Sequence, residues 1–165
     1  MRSGRWSRRA LLPLLGIVAI HAPLVPVAPG SGAAMPDLLW CLVLAFVARA
    51  PDAAPAAVIV GLGLLADLML SRPPGLGALG LLIASEIFRA PDGAARGWSP
   101  PREWLFAAAA FAATILATAL AERLTLGPGL AALRGHVVAT VLAYPFVALG
   151  VGWLLGQRPA RSGTR

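Results

Sequence analysis

Few residues in this chain can do chemistry. Asp67 lies in the run Gly61-Leu-Gly-Leu-Leu-Ala-Asp67-Leu-Met-Leu. A carboxylate inside a membrane helix costs roughly 2.5–3.5 kcal/mol at the helix centre and less near an end. Three readings follow. Asp67 reaches the headgroup region with Arg72 close by in the next turn, it is held by a partner helix or an Arg, or it serves proton or transport chemistry. Asp37 follows Pro36, where Pro suits the first turn of a helix and a negative charge suits its dipole end. Asp37, Asp67 and Arg72 can also meet as one polar cluster at the same end of adjacent helices. Glu86 stands three residues before Arg89, an i,i+3 pair worth tenths of a kcal/mol. Arg49 is its other candidate partner. Glu122 and Arg123 end a helix and are expected to be solvated.

His21 and His136 are not paired by spacing, and each reads as a satisfied structural residue. Cys41, the single cysteine, sits in an apolar run. It cannot close an intrachain disulfide and reads as a small buried hydrophobe. The sequence shows no Ser/His/Asp set, no Cys/His cluster with metal spacing and no phosphate-binding loop. Gly75-Leu-Gly77-Ala-Leu-Gly80 does not follow a strand and is no dinucleotide motif. The glycines at 61, 63, 75, 77 and 80 read instead as close helix packing, with Gly63, Gly75 and Gly77 the principal positions. No catalytic, cofactor-binding or metal-ligating residue is assigned. The expectation is a protein that is not an enzyme and needs no cofactor.

Composition indicates what must position these residues. Of 165 residues, 58% are hydrophobic and 13% charged, with a mean hydropathy of +0.77. A soluble domain is about 45–50% apolar and about 25% charged. A disordered chain is excluded and a soluble globular domain is disfavoured. The net charge is +7 and every one of the 14 basic residues is Arg. A pI near 11.6 suits either a nucleic-acid binder or a membrane protein with Arg in its cytoplasmic loops.

Charge-free stretches separated by Gly and Pro clusters predict an all-α fold, a polytopic bundle of six membrane helices. Their expected bounds are about 10–29, 36–50, 53–70, 75–89, 102–122 and 133–156. Residues 10–157 form one transmembrane domain, flanked by basic segments at 1–9 and 158–165. The second, third and fourth helices are short for a hydrocarbon core of about 30 Å. A strand reading fails, because the runs lack β-branched alternation. With both termini in the cytoplasm, 11 Arg fall inside and Arg72, Arg123 and Arg134 fall outside. That split obeys the positive-inside rule, so the basic charge reads as topology, with membrane lipids and no nucleic acid as partner. Residues 1–33 also resemble a signal peptide cleaved before Ala34, although the apolar run is long for one.

The block Met35-Pro36-Asp37-Leu38-Leu39-Trp40-Cys41, followed by Gly63-x-x-x-Asp67-Leu, a short turn and Gly75-Leu-Gly77-Ala-Leu, resembles the rod shape-determining protein MreD family. The resemblance covers about residues 35–90. It implies an inner-membrane scaffold of the bacterial elongation machinery, acting beside a bitopic MreC-like protein, actin-like MreB, the glycosyltransferase RodA and a class B penicillin-binding transpeptidase. It implies support of cell shape and lateral peptidoglycan synthesis. It also implies a six-helix arrangement similar to the substrate-binding subunits of energy-coupling-factor vitamin transporters, and a vitamin-binding transporter subunit is the alternative function. The resemblance carries over no catalytic residue.

Overall fold

The computed structural model describes residues 3–24, 35–89, 99–125 and 131–156, and the side chains of 10–24, 35–89, 99–121 and 135–156. The cleavage site before Ala34, the turn at 29–32, Trp98, most of the 89–102 loop, the 127–129 turn and the basic tail lie outside the described residues. So do the side chains of Trp6, Glu122, Arg123 and Arg134.

The described residues form six α-helices: α1 (Ser3–His21), α2 (Leu38–Arg49), α3 (Ala56–Met69), α4 (Leu76–Arg89), α5 (Pro100–Thr125) and α6 (Ala131–Leu154). No strand occurs among the described residues. Five helices lie within three residues of their expected bounds. The first does not, beginning at Ser3 and ending at His21. Arg is a good helix former, so the helix runs through the basic segment expected to flank it. The prolines from Pro23 onward cannot continue it. The Nδ1 of His21 sits 2.8 Å from the carbonyl oxygen of Ile17 in the last turn.

The core is built around α2. Its residues from Leu39 through Ala48 are all buried, which is what a helix apolar on every side demands. It packs against α6, α1 and α4. α3, joined to α2 by a short turn, packs chiefly on α4 and less on α1. Chain neighbours α2 and α3 are therefore not the main packing pair that adjacency suggests. α1 belongs to the bundle, placing Leu12 and Ile20 in the core.

Two spans, Pro100–Ala121 and Gly135–Leu154, are long and apolar enough to cross a membrane. Only 22% of an 18-residue apolar stretch in each is buried inside the bundle, whereas the core helix of a soluble protein is mostly buried. At 12 to 14 residues, α2, α3 and α4 are about 18–21 Å long at about 1.5 Å per residue.

Candidate functional site

The polar residues gather at the two ends of the bundle. At the end where α2 begins, Asp37 is the N-cap. Its Oδ1 accepts from the backbone N–H of Trp40 at 3.0 Å, satisfying one of the orphan donors of the first turn. Its Oδ2 accepts from Arg72 Nη1 at 2.9 Å. Arg72 reaches it because of how α3 stops. Ser71 takes a positive φ of 53°, the N–H of Arg72 bonds to the carbonyl of Asp67, and that of Ser71 to Leu68. This is a Schellman ending with serine where glycine is usual.

α6 closes the same end. Thr140 Oγ1 accepts from the backbone N–H of Asp37 at 2.8 Å and donates to the carbonyl of His136 at 2.8 Å. His136 Nδ1 lies 2.6 Å from the carbonyl oxygen of Met35, which assigns the proton to Nδ1. Its Nε2 then faces Arg72 Nη2 as an acceptor at 3.4 Å. His136 and Thr140, one turn apart on α6, thus clamp the strap of chain before α2. His136 is thus a satisfied structural residue, as its sequence context suggests, and the i,i+4 spacing to Thr140 is the local signal of their shared face.

Asp67 takes a different partner from the one its neighbourhood suggests. It is 1% exposed and makes no ion pair with Arg72. Its Oδ2 accepts from the backbone N–H groups of Gly75 at 2.9 Å and Ala78 at 3.2 Å, the start of α4. The carboxylate of α3 thereby satisfies the orphan donors and positive dipole end of the next helix. Gly63 lies one turn earlier on the same face. A Cβ there would lie 2.7 Å from the Cα of Ala78, so the bare backbone lets α4 approach. The Gly63-x-x-x-Asp67 spacing therefore has a mechanical meaning: one residue admits α4 and the other holds its first turn.

The glycines divide by role. Gly77 packs under Asp67, where a Cβ would overlap Oδ1. Gly75 is no packing residue. Space around it is open, and its φ of +92° suits the turn into α4. Gly61 likewise faces open space, whereas Gly80 lies against Thr114 of α5.

At the opposite end, Arg49 Nη1 pairs with Glu103 Oε1 at 2.8 Å, and Tyr144 donates to the same oxygen at 2.7 Å. Arg49 is thus engaged by Glu103 and not by Glu86, which pairs with Arg89 at 2.7 Å. Arg89 also donates to the carbonyl of Ala54. Glu103 and Tyr144 carried no assignment from sequence, since their partners lie far away in the chain. The fold draws α2, α5 and α6 together through one carboxylate oxygen.

Trp40 is a core residue in tilted contact with Phe111, their centroids 5.2 Å apart. Trp104 and Trp153 are exposed near helix ends, and Trp104 Nε1 donates to the carbonyl of Val141. Cys41 is fully buried and donates weakly to the carbonyl of Thr140 at 3.5 Å. His21 stands apart from the cluster. No group of three or more His, Cys, Asp or Glu capable of holding a metal ion occurs among the described residues.

The chain matches no protein-family model, no curated protein and no solved structure.

Proposed function

We propose that this protein is an integral membrane scaffold of the MreD type, in which all six helices cross the inner membrane of a bacterium. The supporting observation is the α3–α4 joint. The residues that carry the resemblance, Gly63, Asp67, Gly75 and Gly77, form one mechanical unit of close approach, helix capping and turn. Hydrogen bonds between membrane helices average only about 0.6 kcal/mol, so a scaffold gains rigidity by combining them with backbone contact. The joint holds a defined surface for a bitopic MreC-like partner and, through it, for the elongation glycosyltransferase and transpeptidase.

Exposed apolar side chains favour the six-span reading. Leu14 and Val18 of α1, Leu68 of α3, Leu79 and Ile83 of α4 and Phe146 and Leu149 of α6 each show more than half their surface. In water such a surface is an association liability, and in lipid it is the solvated face. The short α2, α3 and α4 are accommodated by local thinning of the bilayer. Arg49, Arg89 and Arg102 sit at one end of the bundle and Arg72 at the other, in keeping with cytoplasmic termini.

A vitamin-transport role is the weaker reading. The cavity at the Asp37 end has a volume of about 110 Å³, below the roughly 300–1,000 Å³ of small-molecule sites, and the larger groove between α4 and α5, about 380 Å³, offers Thr114 as its one polar side chain. The deciding experiment is co-purification from detergent with an MreC-like partner, with a depletion strain scored for rod shape. Wild type is expected to retain the partner, and Gly77→Leu and Asp67→Leu to lose it. Retention by both variants, or normal rods on depletion, sinks the scaffold reading.

A further inference from the structure

The first helix is longer than the bundle it joins. Ala19, Ile20 and Pro23 line one cavity with Met35, Asp37 and Leu38, so α1 ends where α2 begins and the two run antiparallel. α2 reaches Arg49 after 12 residues. The same length counted back along α1 from Ile20 reaches Arg9, yet α1 begins at Ser3. Residues 3–8 therefore continue past the level of Arg49 by about 9 Å, at about 1.5 Å per residue.

This overhang is a cationic helix face. Successive residues of an α-helix turn by about 100°. Arg5, Arg8 and Arg9 accordingly share one arc of about 100°, with Ser3, Gly4, Trp6 and Ser7 on the rest of the circle. Like charges at i,i+3 and i,i+4 weaken a helix. The sequence places no Asp or Glu before Asp37 to offset them. Among the described carboxylates at this end, Glu103 is held by Arg49 and Tyr144, and Glu86 by Arg89. Asp52, in the turn Pro51–Ala53 that packs against α1, offers one carboxylate for three guanidiniums. α1 is helical through this repulsion, which calls for anions from outside the chain.

We propose that the face formed by Arg5, Arg8 and Arg9 binds the phosphate headgroups of anionic phospholipids in the leaflet at the inner end of the bundle. The proposal rests on the membrane-spanning reading above. The depth fits. A bilayer about 40–45 Å thick with a hydrocarbon core of about 30 Å leaves a headgroup layer of roughly 5–8 Å on each side. α1 rises about 6 Å from Arg9 to Arg5, so all three residues lie in that layer when Arg9 stands at the hydrocarbon edge. A guanidinium matches phosphate through two parallel hydrogen bonds. A zwitterionic headgroup carries its own cation, so a headgroup of net negative charge is the better partner. Basic clusters immediately beside a membrane helix recognise anionic lipid in this way. Trp6 belongs to a residue type that favours the same interface.

The test reconstitutes the full chain in vesicles of phosphatidylcholine with a minor share of phosphatidylglycerol. Spin-labelled forms of the two lipids report how strongly each associates with the protein. Wild type is expected to favour phosphatidylglycerol by about fivefold or more at low salt, the worth of a single Arg near an anionic surface. High salt should erase that preference. The triple variant Arg5→Gln, Arg8→Gln and Arg9→Gln is expected to fall to near parity, with an unchanged Tm in pure phosphatidylcholine. Arg158→Gln with Arg161→Gln, which removes charge from the other basic segment, is expected to keep the preference. No preference in wild type, or full preference in the triple variant, overturns the proposal. So does equal loss in the 158/161 variant, which assigns the effect to net charge. A chain that fails to float with the vesicles overturns this proposal and the membrane reading together. Absence of lipid preference with intact partner co-purification overturns this proposal alone.

Discussion

Three carboxylates near the core are neutralised in three ways. Asp37 receives a guanidinium and a helix N-terminus, Asp67 a helix N-terminus alone, and Glu103 a guanidinium and a phenol. Breaking a buried pair is costly, about 3–5 kcal/mol when one charge is stranded, whereas replacing both members is often near neutral. Arg49 and Glu103 retain 19% and 12% of their side-chain exposure, which discounts the first figure. Glu103→Leu is therefore expected to lower stability by about 2–3 kcal/mol in detergent denaturation. The double variant Arg49→Met with Glu103→Leu should recover at least half of that loss. Additive losses in the four-member cycle would show that the pair is not coupled. Sequence placed Asp37 at the start of α2, where a negative charge suits the dipole, because that preference is local to the helix; the capping bond itself is seen only in the fold. Sequence did not reveal Glu103, whose partners stand 54 and 41 residues away.

The α3–α4 hairpin is the element on which position and packing depend most closely. Ser71 occupies a left-handed conformation that costs a non-glycine residue roughly 1–2 kcal/mol. Ser71→Gly is expected to raise stability by about 0.5–1 kcal/mol after glycine's own entropy cost, read as a higher Tm. An unchanged or lower Tm argues against strain at that turn. Gly63→Val should do the reverse, because a branched side chain meets the Ala78 backbone; overpacking of this kind costs about 1–3 kcal/mol. Sequence located both helices to within three residues, because hydropathy and Gly/Pro punctuation are local. It grouped Gly61, Gly63, Gly75, Gly77 and Gly80 as one packing set, and the fold gives them different work. Whether a glycine faces a helix, a turn or open space depends on what lies across from it, and composition does not carry that information.

The whole molecule presents apolar surface on its outer helices and polar clusters at both ends. With the buried Cys41 replaced by Ala, two single-cysteine variants report its orientation. Thr164→Cys is expected to react with an impermeant maleimide only after permeabilisation, and the exposed Pro74→Cys in intact cells. The opposite pattern reverses the proposed topology. By itself the sequence determined that the chain is helical, that two of its apolar runs are long enough to cross a membrane, and that Asp67 is the ionisable group most in need of explanation. Those properties are sums over neighbouring residues. Only the tertiary structure decided that Asp67 holds the start of α4 and not Arg72, that His136 and Thr140 fasten the strap before α2, and that Glu103 joins three helices. Partner choice depends on which backbones approach closely enough to exclude other contacts, and the long-range packing of helices around α2 sets that approach.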